Sequence, residues 1–280
     1  GGTSGFKNEW LSRSLPFNEG DIDGAMLDFD NDGLLDLSLS RESKYEKPYP
    51  DDEQKGWFGL MRQLPDGHFE SVGLKSGINA LGVEQLASLT DCNSDAQCTA
   101  NGEKCLKDKC RIPCSTNAEC VSEHEVCHSG GFCRAINRMK RAQNHAWSDI
   151  DRDGDLDLLV GGRDQGGGRP NFLFRNDMGS QNRWLAISVV GDGSKVNRDG
   201  VGTRVSLVFA DRTLTREVKL SRGMHNSMDT KVLHFGLGDL PCDFEMKVRW
   251  PDGTSAVFSA DDTGQNRYLT LTYPDTLESE

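Results

Sequence analysis

Two stretches of this sequence have the residue types and spacing to hold a hard metal ion. They are Asp28-Phe29-Asp30-Asn31-Asp32-Gly33-Leu34-Leu35-Asp36-Leu37 and Asp149-Ile150-Asp151-Arg152-Asp153-Gly154-Asp155-Leu156-Asp157-Leu158. Both read D-x-D-x-D-G-x-x-D followed by an apolar residue. Carboxylates at alternate positions, with a glycine that permits a sharp turn, fold oxygen ligands around one cation. Calcium takes six to eight oxygens in flexible geometry and suits such a loop. Without a cation the carboxylates repel one another. The expected ligands are Asp28, Asp30, Asp32 and Asp36 with the Leu34 carbonyl, and Asp149, Asp151, Asp153 and Asp157 with the Asp155 carbonyl. Two Ca2+ sites are therefore expected, structural rather than catalytic. A helix–loop–helix site is disfavoured, because Leu39 and Val160 stand at the twelfth position in place of Glu. Asp21-Ile22-Asp23-Gly24 is half of the motif and reads as a plain turn.

The second chemistry is that of cysteine. Eight of the nine cysteines, Cys92, Cys98, Cys105, Cys110, Cys114, Cys120, Cys127 and Cys133, fall in one short segment, and Cys242 stands apart. The first four have gaps of five, six and four residues, and the second four of five, six and five. Structural zinc prefers shorter knuckles, and only Cys110 and Cys114 are that close. Two tandem units, each closed by two disulfides, are expected, and the spacing does not choose among the three pairings of four cysteines. Such a framework persists in oxidising surroundings, so the chain reads as secreted or cell-surface, extracellular or periplasmic. Cys242 reads as a buried free thiol, with an intermolecular bridge as the other reading.

The elements that must position these residues are strands. Each Asp loop leads into a strand, Leu34–Leu39 and Leu156–Val160. An apolar strand ending in Arg answers each: Trp57-Phe58-Gly59-Leu60-Met61-Arg62 and Asn171-Phe172-Leu173-Phe174-Arg175. Without residues 88–142, about 66 positions separate the two loops, a plausible length for one four-stranded unit. Short strands with glycine turns fit propeller blades or a sandwich. From Asn182 on, seven short alternating strands separated by Gly, Asp and Pro turns point to a compact β-sandwich-like domain. The expected order is a blade-type repeat at 1–87, a Cys-rich insertion at 88–142, a second repeat at 143–181 and a C-terminal β-domain at 182–280. The fold class is all-β: a partial β-propeller with a disulfide-rich insertion and a sandwich-like domain.

The net charge of -12 argues against nucleic acid as a partner. No apolar run approaches the ~20 residues of a membrane helix. A start at Gly1-Gly2-Thr3 without Met reads as a processed or partial product. The sequence has no G-x-S-x-G, H-E-x-x-H or P-loop, and the six histidines are scattered. A glycosidase carboxylate pair is disfavoured because the prominent Asp residues are committed to calcium. His234 and the tryptophans Trp10, Trp57, Trp147, Trp184 and Trp250 are expected in packed positions. Residues 166–169 and 224–228 are expected in exposed loops.

The Asp loops, with strands of the Phe172-Leu173-Phe174-Arg175-Asn176 type, resemble FG-GAP/VCBS repeats. The C-terminal part resembles the ASPIC/UnbV domain on Asn182-Arg183-Trp184-Leu185, Asn197-Arg198-Asp199-Gly200-Val201-Gly202-Thr203-Arg204-Val205, His234-Phe235-Gly236-Leu237-Gly238 and Trp250-Pro251-Asp252-Gly253. The combination is similar to the C-terminal part of secreted proteins of the cartilage acidic protein type. That resemblance implies an extracellular calcium-binding propeller with a C-terminal β-domain and no established enzymatic activity. The Cys-rich pair departs from the pattern, and two blades are fewer than the four to eight that close a propeller. The expected function is non-enzymatic adhesion or assembly, with an extracellular protein or glycan as partner and self-assembly as an option. A calcium-dependent carbohydrate-binding module, or an accessory part of a secreted hydrolase, is the alternative.

Overall fold

The computed structural model describes residues 5–15, 21–41, 58–73, 76, 78, 90–99, 102–106, 108–120, 125–128, 130–135, 142–162, 171–221, 228 and 230–280. Trp57, His124, residues 166–169 and 224–227, and the expected boundary between 87 and 88 lie outside them. Within them the chain is all-β, as its strand-period patterning predicts.

The first blade is an antiparallel meander of β1 (Asp21–Leu27), β2 (Asp36–Arg41), β3 (Gly59–Gln63) and β4 (Phe69–Ser71). Asp21–Gly24, expected as a plain turn, is instead the first half of β1. Asp23 and Gly24 pair with Ser40 and Leu39 of β2, so a partner strand takes up the backbone hydrogen bonds that a turn would leave to solvent.

The Cys-rich segment follows as two small hairpins. They are β5 (Lys104–Leu106) with β6 (Lys109–Arg111), and β7 (Glu125–His128) with β8 (Phe132–Ala135). Each unit is stapled first-to-third and second-to-fourth: Cys92–Cys105 and Cys98–Cys110, then Cys114–Cys127 and Cys120–Cys133. With Phe132 as the one large buried side chain among its described residues, the segment depends on crosslinks rather than on a core.

The second blade has three described strands, β9 (Ala142–Ser148), β10 (Asp157–Gly162) and β11 (Asn171–Phe174), in the order β11-β10-β9. The blades pack face to face. Ala25, Leu27, Phe58 and Leu60 of the first meet Trp147, Leu158, Val160 and Phe174 of the second in one apolar cluster. A buried polar group sits at the same contact. His145 bonds Ser38 Oγ through Nε2 at 2.8 Å and Ser40 Oγ through Nδ1 at 2.7 Å, and Trp147 Nε1 donates to Ser38 Oγ at 3.1 Å.

The C-terminal domain is a sandwich. One sheet has the order β15-β12-β18-β19 and the other β14-β13-β16-β17. The strands are β12 (Trp184–Val190), β13 (Arg204–Val208), β14 (Thr213–Glu217), β15 (Leu233–Gly236), β16 (Glu245–Arg249), β17 (Ser255–Ser259), β18 (Tyr268–Thr272) and β19 (Thr276–Ser279). Leu185, Ile187, Leu207, Phe235, Met246, Val248 and Leu271 from both sheets share the core. Each such burial contributes roughly 1.5–3 kcal/mol. Seven of these strands are the ones expected from alternation, and β19 is additional. A one-turn helix α1 (Ala260–Thr263) follows β17, and its N-cap Ser259 and Asp262 form a capping box.

Cys242 is exposed, against the expectation of a buried thiol. It lies just after Leu240 in a polar turn, where Arg183 Nη1 donates to its sulfur at 2.9 Å. A Gln265 hydrogen bond and the Arg183 charge hold its thiol below the ordinary range.

Candidate metal centre

Each Asp loop is the connection of a hairpin. Leu27 pairs with Asp36 and Ser148 with Asp157, so residues 28–35 and 149–156 turn the chain between paired strands. The ninth residue of each motif starts the returning strand, and its carboxylate clamps the loop. Phe29 N–H donates to Asp36 Oδ2 at 3.1 Å and Gln63 N–H to Oδ1 at 2.8 Å. In the second loop Ile150 N–H donates to Asp157 Oδ2 at 2.9 Å and Asn176 N–H to Oδ1 at 2.8 Å.

The first residue of each motif organises the turn in the same way. Asp32 and Gly33 N–H groups donate to the two oxygens of Asp28 at 3.1 and 2.9 Å. Asp153 and Gly154 do so to Asp149 at 3.2 and 2.8 Å. The fifth residue accepts from the seventh, Leu34 N–H to Asp32 Oδ1 at 2.9 Å and Asp155 N–H to Asp153 Oδ1 at 3.0 Å. Gly33 and Gly154 have φ of 86° and 99°, a left-handed backbone that explains glycine at the sixth position. The two loops are copies of each other, bond for bond.

The geometry brings together oxygens of Asp28, Asp30 and Asp32 in one loop and of Asp149, Asp151 and Asp157 in the other, each set within 4.8 Å. Asp36 and Asp153, also expected as ligands, fall outside those sets. Asp36 is engaged with backbone amides, and Asp153 with the Asp155 amide.

Whether a cation fits can be tested on the carboxylates themselves. Asp30 is buried and its Oδ1 has no hydrogen-bond partner, an unmet acceptor that an ion would satisfy. Burial pushes Asp28 up to about 7; Arg216 opposes this, and Asp32 and Asp30 add to it. Burial likewise raises Asp36 to about 9, and burial with the Asp32 charge raises Asp30. Buried carboxylates driven this way are stabilised by a proton or by a cation. The gathered carboxylate oxygens are the donor type that a hard divalent ion of the calcium type takes, and such an ion would neutralise charge that Arg62 offsets only at the first loop.

What the motif does not reveal is that the C-terminal domain sits on both loops. Asn31, fully buried, is the hinge point. Its Nδ2 donates to Gly154 O at 3.0 Å and to Asp155 Oδ1 at 2.9 Å, tying one loop to the other. Its Oδ1 meets His234 Nε2 of β15 at 2.6 Å, and Gly238 N–H donates to its carbonyl at 2.8 Å. Gly236 lies so close that a Cβ there would stand 2.2 Å from Asp28 Oδ2. At the second loop Trp184 covers Gly154, and the Tyr268 hydroxyl donates to Asp149. Asn176 and Asn182 complete the seam by donating to the carbonyls of Phe29 and Asp30, each at 2.7 Å. Arg216 is half-buried behind β15, with Nε donating to His234 O at 2.9 Å. Burial first, and then the Arg216 charge, drive His234 down to about 3, so the imidazole is neutral.

Asp155 thus has a role the motif did not announce: its carboxylate, expected only to lend a carbonyl, bridges Asn31 and the Gly179 amide at 3.1 Å. The signal available in the sequence was Asn at the fourth position, where φ of 58° favours a residue tolerant of left-handed backbone. A cleft of about 250 Å³ opens between the blades, floored by Phe29, Trp147 and Phe174 and rimmed by Arg175, Asn176 and Asp177. Trp147, Trp184 and Trp250 are buried, so none of these three presents a stacking surface for a sugar.

Residues 193–278 match the family model described as ASPIC and UnbV. The matched stretch carries His234, Gly236, Gly238 and Tyr268, the residues by which the sandwich meets the Asp loops, while the loops themselves lie outside it. No curated protein matches the chain.

Proposed function

We propose that the chain is a calcium-stabilised, non-catalytic extracellular module that serves adhesion or assembly. The observation that carries this reading is the pair of identically bonded Asp loops in the seam between the blades and the sandwich. An ion in each would fix blade, blade and sandwich in one arrangement, so that surface loops present a constant face. The four disulfides fit an oxidising compartment. The resemblance of the loops to FG-GAP/VCBS repeats and the ASPIC and UnbV match agree with such a module. Among the described residues no helix is long and apolar enough to cross a membrane.

Assembly is favoured over glycan binding by the outer face of the second blade. Leu159 and Leu173 pair across β10 and β11 and are 48% and 61% exposed. By position after the loop for Leu159 and by ladder pairing for Leu173, they correspond to Ser38 and Leu60, through which the first blade contacts the second. The second blade therefore offers to solvent the face that its neighbour buries.

Thermal unfolding of the whole chain in about millimolar calcium and in excess chelator tests the reading. Asp30→Ala and Asp151→Ala should each lower the melting temperature in calcium and change it little in chelator. An ion at 100 times its dissociation constant stabilises by about 2.7 kcal/mol, which sets the size of the loss. Equal losses in both media would contradict calcium at these loops.

A further inference from the structure

The two loops are copies in backbone but not in their surroundings, and one residue pair makes the difference. Gln63 and Asn176 both clamp the ninth Asp of their loop through the backbone amide. The residues before them, Arg62 and Arg175, are therefore equivalents, and so are the residues after them, Leu64 and Asp177. Arg175 is drawn away from its loop by Asp177, with Nε 3.0 Å from Oδ1 and Nη2 donating to Oδ2 at 3.1 Å. Leu64 offers Arg62 no such partner. The Arg62 guanidinium lies instead across the carboxylates of its loop, with Nε 2.6 Å from Asp30 Oδ2 and Nη2 donating to Asp32 Oδ2 at 3.1 Å. The Nε contact is one of charge rather than a directed hydrogen bond, because that N–H is not aimed at the oxygen.

We infer that Arg62 is a built-in counter-cation of the first Asp loop, which a divalent ion must displace, whereas Asp177 keeps Arg175 parked and leaves the second loop open. The inference rests on the calcium reading and adds an order to it. The second loop fills at low calcium and the first only at higher calcium. Coulomb attraction between the guanidinium and two carboxylates at this range competes directly with the incoming ion. Outer groups that hold or release a metal ligand change metal affinity by about 10–100-fold. The choice is written at one position, Leu64 against Asp177.

Isothermal titration of the full chain with calcium tests it, with the Asp151→Ala variant assigning the second loop. The wild type should titrate in two steps, the tighter one lost in Asp151→Ala. Arg62→Met should raise the affinity of the weak step by about tenfold or more and leave the tight step in place. Leu64→Asp, which gives Arg62 a partner outside the loop, should act in the same direction. Asp177→Leu should weaken the tight step by releasing Arg175 toward Asp151 and Asp153. Two equal affinities in the wild type, or a weaker first site in Arg62→Met, would overturn the inference and leave calcium binding standing. A wild type that takes up no calcium would overturn both.

Discussion

His234 shows how one buried side chain sets a pH dependence. Its imidazole is neutral in the fold because burial and Arg216 hold its protonation down to about 3, against 6.5 for an ordinary histidine. In the neutral form Nε2–H donates to Asn31 Oδ1. The unfolded chain takes up a proton at His234 below about pH 6.5 and the folded chain does not, so the unfolded state binds more protons. The stability that neutral His234 contributes is present above pH 6.5 and is lost as the pH falls from 6.5 toward 3. His234→Gln, which can still donate to Asn31, should flatten that limb of a stability–pH curve. The difference between the two proteins isolates the imidazole, and parallel curves would contradict the assignment. The motif marks eight of the loop carboxylates at a glance. It does not mark Asn31, His234, Arg62 or Tyr268, because their roles arise from contacts between segments far apart in the chain.

Among the elements, the Asp hairpins and β15 depend on one another. Gly236 is the point of closest approach, with a would-be Cβ also 2.5 Å from Asn31 Cα. Such backbone cannot yield as a flexible side chain would. Gly236→Ala should cost roughly 1–3 kcal/mol as overpacking, read by denaturant unfolding. A loss below about 0.5 kcal/mol, the ordinary effect of a surface change, would mean that β15 does not press on the loop. The strands of the sandwich were legible because apolar and polar residues alternate over Glu245–Arg249 and Tyr268–Thr272. β1 was not legible. Its Asp21-Ile22-Asp23-Gly24 start carries turn residues, and only pairing with β2 makes it a strand. The disulfide pairing was illegible for a related reason, since it follows from which hairpins close and not from the gaps between cysteines. Cys242 was misjudged because no periodicity marks its turn, and the polar neighbours that expose it, Arg183 and Gln265, come from other strands' ends.

At the scale of the whole molecule, three bodies of chain meet at one polar seam, with the ions proposed to lie where all three touch. Apolar burial joins the two blades to each other and, separately, the two sheets of the sandwich. What orients the sandwich on the blade pair is a set of buried carboxylates and amides, a costly arrangement unless their charge is matched. The outward face of the second blade, with Leu159 and Leu173 exposed, is where the proposed assembly places a further body. Leu173→Lys should reduce the particle mass measured by light scattering in calcium, if that face mediates assembly. A wild type that stays monomeric at every concentration tested would remove assembly from the account and leave glycan binding as the alternative. The central claim is that calcium in the Asp loops fixes the seam. Hydrogen exchange of the full chain, with calcium and with chelator, measures it most directly. The account predicts slower exchange in calcium at the amides of Asp32, Gly33, Asp153 and Gly154, and also at Gly238, whose N–H donates to the Asn31 carbonyl of the first loop. Identical exchange in the two media at all five amides would contradict it.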